Sequence, residues 1–204
     1  MAILTWYGHS CFKLDMGEGG SLIFDPYAKG TVPGVELPEK LTADMVLCSH
    51  DHHDHNASDR VTLSGRTPLF EIERIDTYHD EDKGSKRGNN IIHIVKYKNL
   101  KAAHFGDLGC PLTEEQAERL GGLDLALIPV GGFFTIDRAE AKRIIDSIKP
   151  KITVPMHYRR GDKGFNVLST IDEFVGQFDS GLIHKCGSTL DLSAAAGGIY
   201  VMEA

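Results

Sequence analysis

The sequence predicts an α/β (α+β) fold in which two mixed β-sheets lie face to face with helices outside. Three observations carry this. Short apolar runs bounded by Gly, Pro or charged residues fill the first hundred positions, as strands do. From about His104 onward, helical and strand patterns alternate. Three of the helices also carry start signals that can be read residue by residue.

The chain enters a strand, ILTWY, directly after Met1 and Ala2, and SLIFD, ending at Asp25, reads as another. Three apolar runs each stop just before a residue that could bind metal: MVLCS before His50, LKAAHFG before Asp107 and KITVPM before His157. ERIDTY before His79 is more mixed. Thr113 with Gln116, and Thr170 with Glu173, match a capping box, in which the two residues exchange side-chain and backbone hydrogen bonds; Asp137 with Glu140 resembles one with Asp as the cap. The first of these helices should end near Gly121, and the one starting at Asp137 should end before Pro150. AEAKRIIDSI alternates apolar and charged positions at helical spacing, so one side should pack on a sheet. Thr189 to Val201 reads as short returning strands. With no linker or repeat in view, the 204 residues are expected to form one domain, 1–204, able to bury about 70% of the surface of the unfolded chain.

Composition narrows the function. Hydrophobic residues make up 41% and charged residues 25%, which argues against disorder. No run approaches the eighteen or so apolar residues of a membrane span, and no charged leader precedes the first strand, so a cytoplasmic protein is expected. Cys11, Cys48, Cys110 and Cys186 form no Cys-x-x-Cys pair and fit reduced, bystander thiols. A net charge of −7 argues against a nucleic-acid partner, which would select a basic face. Two local basic clusters run the other way: Lys83, Lys86 and Arg87 follow His79, while Arg159, Arg160 and Lys163 follow His157. They are either solvated loop charge or, through Lys86, Arg87, Arg159 and Arg160, a grip on a small anionic substrate.

The most telling segment is SHDHHDHN, Ser49 to Asn56. It holds His50-x-His52-x-Asp54-His55, a spacing that chance would give in roughly two of every thousand sequences of this length. Imidazole and carboxylate suit zinc and other first-row divalent ions, whereas a structural zinc site would more often be closed by Cys. In a tight turn, His50 and His52 can face one ion while Asp54 and His55 turn toward a second, so one loop can seed two adjacent sites. His79, Asp107 and His157, at strand ends, could supply further ligands.

With these residues in place, the chain resembles the metallo-β-lactamase-fold hydrolases over almost its whole length. The motifs fall in order: His50-x-His52-x-Asp54-His55, then His79, Asp107 and His157. The resemblance implies the four-layer αββα sandwich of that fold. It also implies that His50, His52 and His79 hold one ion, that Asp54, His55 and His157 hold the other, and that Asp107 bridges them. WYGHSCF, FDPY, HFGDLG, IPVGG and PMHY look like the small uncharacterised branch that is similar to ascorbate-6-phosphate lactonase.

Two such ions, about 3.5 to 4 Å apart, can trap a water, lower its pKa from roughly 15.7 toward 7 and present hydroxide to a carbonyl or phosphoryl centre. The expected function is therefore metal-dependent hydrolysis of an ester, lactone or phosphodiester bond in a small, anionic molecule, with zinc as the first choice of metal and Mn, Ni or Fe as alternatives. Asp54 and Asp107 count among the catalytic residues. His104 could orient a ligand or protonate a leaving group, or could be a buried, hydrogen-bonded core residue. His9, after the first strand, could reach the same rim, and the Gly-His at that place in the similar branch favours a site role. Asp25 could accept a proton from a metal-bound imidazole, or cap the turn at Pro26. His53, His93 and His184 have no such context. The rival class is a metal-dependent binding or sensor protein on a hydrolase scaffold. A diiron redox reading is weakened by His52, which stands where that group places a carboxylate, and by the lack of a flavin-binding domain. A nuclease reading lacks the extra domain or basic arm that it would need.

Overall fold

The computed structural model describes residues 1–203; Ala204, the last residue of the expected domain, lies outside them. One sheet has five strands in the order β13-β1-β2-β3-β5. These are β1 (Ile3–Trp6), β2 (Phe12–Asp15), β3 (Ser21–Phe24), β5 (Met45–Leu47) and β13 (Thr189–Asp191). The other has seven, ordered β12-β14-β11-β10-β9-β8-β7. They are β7 (Glu71–Tyr78), β8 (Asn89–Tyr97), β9 (Leu100–His104), β10 (Leu125–Pro129), β11 (Ile152–Met156), β12 (Ile183–Lys185) and β14 (Gly198–Val201). A two-stranded parallel ribbon joins β4 (Leu41–Ala43) to β6 (Val61–Leu63). Both large sheets are mixed, and the returning strands expected at the end of the chain go one to each.

The sheets face each other across one core. Leu22 and Phe24 of β3 point into it beside Ile92, Ile94, Leu125 and Val154 of the second sheet, while Ile23, between them in sequence, points to the opposite side and joins Tyr27, Val32, Leu37 and Leu41. This is the period-two alternation of a strand covered on both faces. His104 at the end of β9 stacks on Phe24 with ring centroids 4.7 Å apart, so the two sheets touch directly there.

All three α-helices start at the residues expected from their caps: α1 (Glu114–Arg119) after Thr113, α2 (Arg138–Ile148) after Asp137 and α3 (Ile171–Val175) after Thr170. The Thr113–Gln116 box is complete, and the Asp137 carboxylate accepts from the N–H groups of Ala139 and Glu140, both at 2.9 Å. Ala141, Ile144 and Ile148 of α2 join the same core as β10. The first sheet differs from the expectation of helices on both outer faces. Its outer side is covered by the 26–40 segment and the β4–β6 ribbon instead. Pro26, Gly30, Pro33, Gly34 and Pro38 interrupt this segment too often for an α-helix to form.

Candidate metal centre

Strand direction gathers the candidate residues on one rim. β1 and β3 are each antiparallel to β2, and β3 is parallel to β5, so His9, Asp25 and His50 follow strands that end at the same edge of the first sheet. In the second sheet β7 and β9 are each antiparallel to β8, and β9, β10 and β11 are parallel. His79, Asp107 and His157 therefore leave the same edge of that sheet. Rigid strands fix the position while the loops that follow supply the side chains.

The metal-motif loop is a tight turn, with the N–H groups of His55 and Asn56 both donating to the His52 carbonyl. It is pinned to the covering segment by Ala28 N–H to His53 O and Ala57 N–H to Pro26 O. The structure brings the seven expected ligands to one place, where their donor atoms form overlapping groups, one of which is Asp25, His50 and His55. The donor atoms of His50, His52 and His79 lie within 4.8 Å of one another, as do those of Asp54, His55 and His157, with His9 added to this second group. Asp107 sits between them: its Oδ2 lies 3.1 Å from His157 Nε2, 3.3 Å from His55 Nε2, 3.4 Å from His79 Nε2 and 4.0 Å from His50 Nε2.

These separations test whether the residues fit metal ions. Charge-assisted hydrogen bonds between nitrogen and carboxylate oxygen run at about 2.7 to 2.9 Å. Donors arranged tetrahedrally around an ion at 2.0 to 2.1 Å stand about 3.3 Å apart instead. Most of the contacts to Asp107 match the second distance. In addition, the Nε2 atoms of His50 and His55 are buried without a hydrogen-bond partner, a costly arrangement unless something binds there. The donor set fits metal binding.

Outer partners orient two of the imidazoles. His55 Nδ1 donates to Asp25 Oδ2 at 2.8 Å, and His50 Nδ1 lies 2.9 Å from Ser49 Oγ. Asp25 also accepts from the Ser49 N–H at 2.7 Å and the Ser49 hydroxyl at 2.6 Å. In both rings Nδ1 is thus engaged and Nε2 is left to face the centre, the arrangement that metal-bound histidines use. Of the two roles open to Asp25, the structure shows the outer partner of an imidazole. Ser49 was not singled out in the sequence, although it lies inside the motif. Asn90 was missed as well: it accepts the Asp107 N–H at 2.9 Å and donates to the Phe105 carbonyl at 2.9 Å, which fixes the Asp107 backbone.

Electrostatics follow from burial and mutual contact. Burial, aided by neighbouring His55, lowers the His50 imidazole to about 3; burial and His157 lower His9 to about 4. In both, burial favours the neutral imidazole. Burial acts to raise Asp107, but His157 and His55 outweigh it and hold the carboxyl well below the ordinary carboxylate range. Burial opposes protonation of His55, yet Asp107 and Asp25 raise it above the usual imidazole value.

His104 lies elsewhere. Its Nε2 donates to the Ser10 carbonyl at 2.8 Å, its Nδ1 accepts from the Gly106 N–H at 3.1 Å, and the ring is fully buried. Both nitrogens are occupied, so protonating a leaving group is a correction to be made: the geometry leaves His104 the role of core and positioning residue. The cations are also sorted. Arg87 lines the pocket over the centre, together with His52, Asp54, His79, Asp107, Phe134, His157 and Phe165. Lys86 instead pairs with Asp82, Arg160 pairs with Glu203 at 2.6 Å, and Arg159 lies against the carbonyls of Leu168 and Gly161. Of the four cations, only Arg87 lines the pocket, and the pairing of Lys86 and Arg160 fits the solvated-charge reading for those two. The pocket holds about 260 Å³. Its aromatic walls, Phe134 and Phe165, with centroids 5.8 Å apart, were not read from sequence, where a Phe near Gly in a loop gives no periodic signal. His184 stacks on Tyr200 and His93 is buried in the second sheet, neither at the pocket.

The beta-lactamase superfamily domain is matched over residues 3–157, so the chain belongs to that superfamily. It belongs there as a metal-dependent hydrolase. A UPF0173 metal-dependent hydrolase of Thermococcus onnurineus is 27% identical over 94% of this chain and 100% of its own length, and one of Caldivirga maquilingensis is 28% identical over 78% and 82%. Among solved structures, a Thermotoga maritima protein of the metallo-beta-lactamase superfamily, named for zinc-dependent hydrolysis, is 32% identical; it aligns over 100% of this chain and 99% of that one, with a TM-score of 0.77. A metallo hydrolase of Ignicoccus hospitalis, 20% identical with a TM-score of 0.67 over 99% of this chain and 95% of that one, shares the fold. No helix among the described residues is long and apolar enough to cross a membrane.

Proposed function

We propose that the chain holds two zinc ions and hydrolyses an ester, lactone or phosphodiester bond in a small anionic molecule. The observation that carries this is the single carboxylate oxygen of Asp107 standing 3.1 to 4.0 Å from four imidazoles that belong to two ligand groups. His50, His52 and His79 would hold one ion, Asp54, His55 and His157 the other, and Asp107 both. When bound, two such ions would supply an activated water as the nucleophile and polarise the oxygen of the carbonyl or phosphoryl group, whose carbon or phosphorus the water attacks.

The residues do the rest. Asp25 and Ser49 keep the proton of each outer nitrogen fixed on Nδ1, so His55 and His50 present Nε2 to the centre without rearrangement. Arg87, 5.7 Å from the Phe134 ring centroid and at the pocket wall, would take an anionic group, while Phe134 and Phe165 would cover an apolar part and exclude water. A pocket of about 260 Å³ suits a small molecule. Lys86 and Arg160 pair with the carboxylates of Asp82 and Glu203, which counts against a track for a polyanion. A cytoplasmic setting is part of the proposal, and four unpaired cysteines fit it.

The test is a screen of lactone, phosphodiester and carboxylic ester substrates with the wild type and with His55→Ala and His157→Ala. Hydrolysis by the wild type that is abolished by a chelator, restored by zinc, and absent in both folded variants is the expected result. Tight binding of an anion that is released intact, with no turnover of any substrate, would put the binding-protein reading in its place.

A further inference from the structure

We propose that His9 is a protein ligand of the second ion, alongside Asp54, His55, His157 and Asp107; this rests on the two-ion reading above. Neither the ligand motif nor the spacing of the other histidines includes His9. The case is geometric. His9 Nε2 lies 3.3 Å from Asp54 Oδ2, the separation expected of two donors on one ion and longer than a charge-assisted hydrogen bond. Its ring centroid is 4.2 Å from that of His157 and 5.1 Å from that of His55. Its donor atom falls in the same group of four within 4.8 Å.

Three further features hold the ring there. His9 is 5% exposed, Nδ1 of its ring has no hydrogen-bond partner, and Nε2 meets only the Asp54 carboxylate, at a distance beyond a charge-assisted hydrogen bond. Its backbone sits at φ +53°, a left-handed conformation that is unusual for a residue other than Gly or Asn and that persists where surrounding structure enforces it. The enforcing contacts are visible: the Trp6 indole N–H donates to the His9 carbonyl at 3.1 Å, and the backbone N–H of His157 reaches the same carbonyl at 3.4 Å. His157 shares the left-handed conformation at φ +54°. The two histidines are thus tied backbone to backbone, and their rings converge on one point.

This ligand would make the two ions unequal. The first has His50, His52, His79 and Asp107; the second gains a fifth protein donor and should be the more firmly held. A site with fewer protein donors is the one left open to substrate.

The experiment compares the wild type with His9→Asn, because Asn tolerates the left-handed backbone and is too short to reach the ion. Zinc content is followed by elemental analysis through a chelator titration, and the visible spectrum is recorded after substitution with cobalt. The expected result is a wild type that loses its ions in two stages, and a folded His9→Asn whose second ion leaves at a chelator concentration at least tenfold lower, with an altered cobalt spectrum. Unchanged release and an unchanged spectrum would overturn the assignment, even if turnover fell, since His9 would then act on substrate. Should His9→Asn fail to fold, the wild type loaded with ¹¹³Cd supplies the readout: scalar coupling between the metal and a ring nitrogen of His9 is expected, and its absence overturns the proposal. Failure of the two-ion reading would look different, as single-ion uptake by the wild type itself.

Discussion

In the proposed reading, Arg87 is the side chain on which substrate choice turns. It shares the pocket wall with five of the metal-ligand candidates, whereas Arg159 rests on loop carbonyls. A well-formed charge-assisted contact contributes about 1.5 to 3 kcal/mol, and each factor of ten corresponds to about 1.4 kcal/mol. Arg87→Ala should therefore raise KM for an anionic substrate roughly ten- to a hundredfold and leave a matched neutral substrate unaffected, while Arg159→Ala should change neither. Steady-state kinetics on such a pair would refute the role if Arg87→Ala acted equally on both. At this scale, the sequence was informative where residue type alone carries the chemistry. His50, His52, Asp54 and His55 announce themselves because few other pressures select three imidazoles and a carboxylate so close together. Arg87 could not be told from Lys86 or Arg160, since their difference lies in partners, Asp82 and Glu203, that sequence proximity does not rank. His104 likewise looked like Asp107's neighbour until its two nitrogens were seen to be used by Ser10 and Gly106.

The element that presents Arg87 is the loop after β7, and it is folded around one carboxylate. Asp80 accepts from the backbone N–H groups of Asp82, Gly84, Lys86 and Arg87 at 2.8 to 3.0 Å. Burial acts to raise the Asp80 carboxyl, but these hydrogen bonds outweigh it and hold the pKa below the ordinary value. A carboxyl lowered on folding contributes order that is fully present above its unfolded pKa, about 3.9, and lost as pH falls through the lower, folded one. The amide shifts of those four residues, followed from about pH 6 to pH 2, should hold steady at first and titrate together below pH 3.9; titration at or above the free aspartate value would contradict this account. Close packing constrains a second element. A Cβ on Gly131 would overlap the His157 carbonyl, so Gly131→Ala should displace that ligand and lower zinc retention at the second site, measured by elemental analysis, more than it lowers helix content. Strands and caps were legible because alternation and capping hydrogen bonds are local. The covering layer of the first sheet was not, since residues 26–40 have no period and are held by contacts with distant residues such as Asp162 and His53.

Across the whole molecule, the centre joins two sheets that otherwise meet only through their core. His50, His52, Asp54 and His55 follow a strand of the first sheet; His79, Asp107 and His157 follow strands of the second. Ions bound between them add to stability only in the folded state. Free metal at a hundred times its Kd contributes about 2.7 kcal/mol, which for a chain of this size corresponds to a rise in Tm of about 5 to 10 °C. A chelator should lower Tm by that amount in the wild type, and calorimetry showing no shift would mean that the ions do not bridge the sheets. The layered architecture was readable from the order of the elements, while the asymmetry between its outer faces was not, because it depends on what a Pro- and Gly-rich segment packs against. The central claim is that Asp107 belongs to both ligand groups. Elemental analysis of wild type and Asp107→Ala, purified alike, tests it most directly. The account predicts close to two divalent ions per wild-type chain and loss from both sites in the folded variant; equal metal content in the two proteins would contradict it.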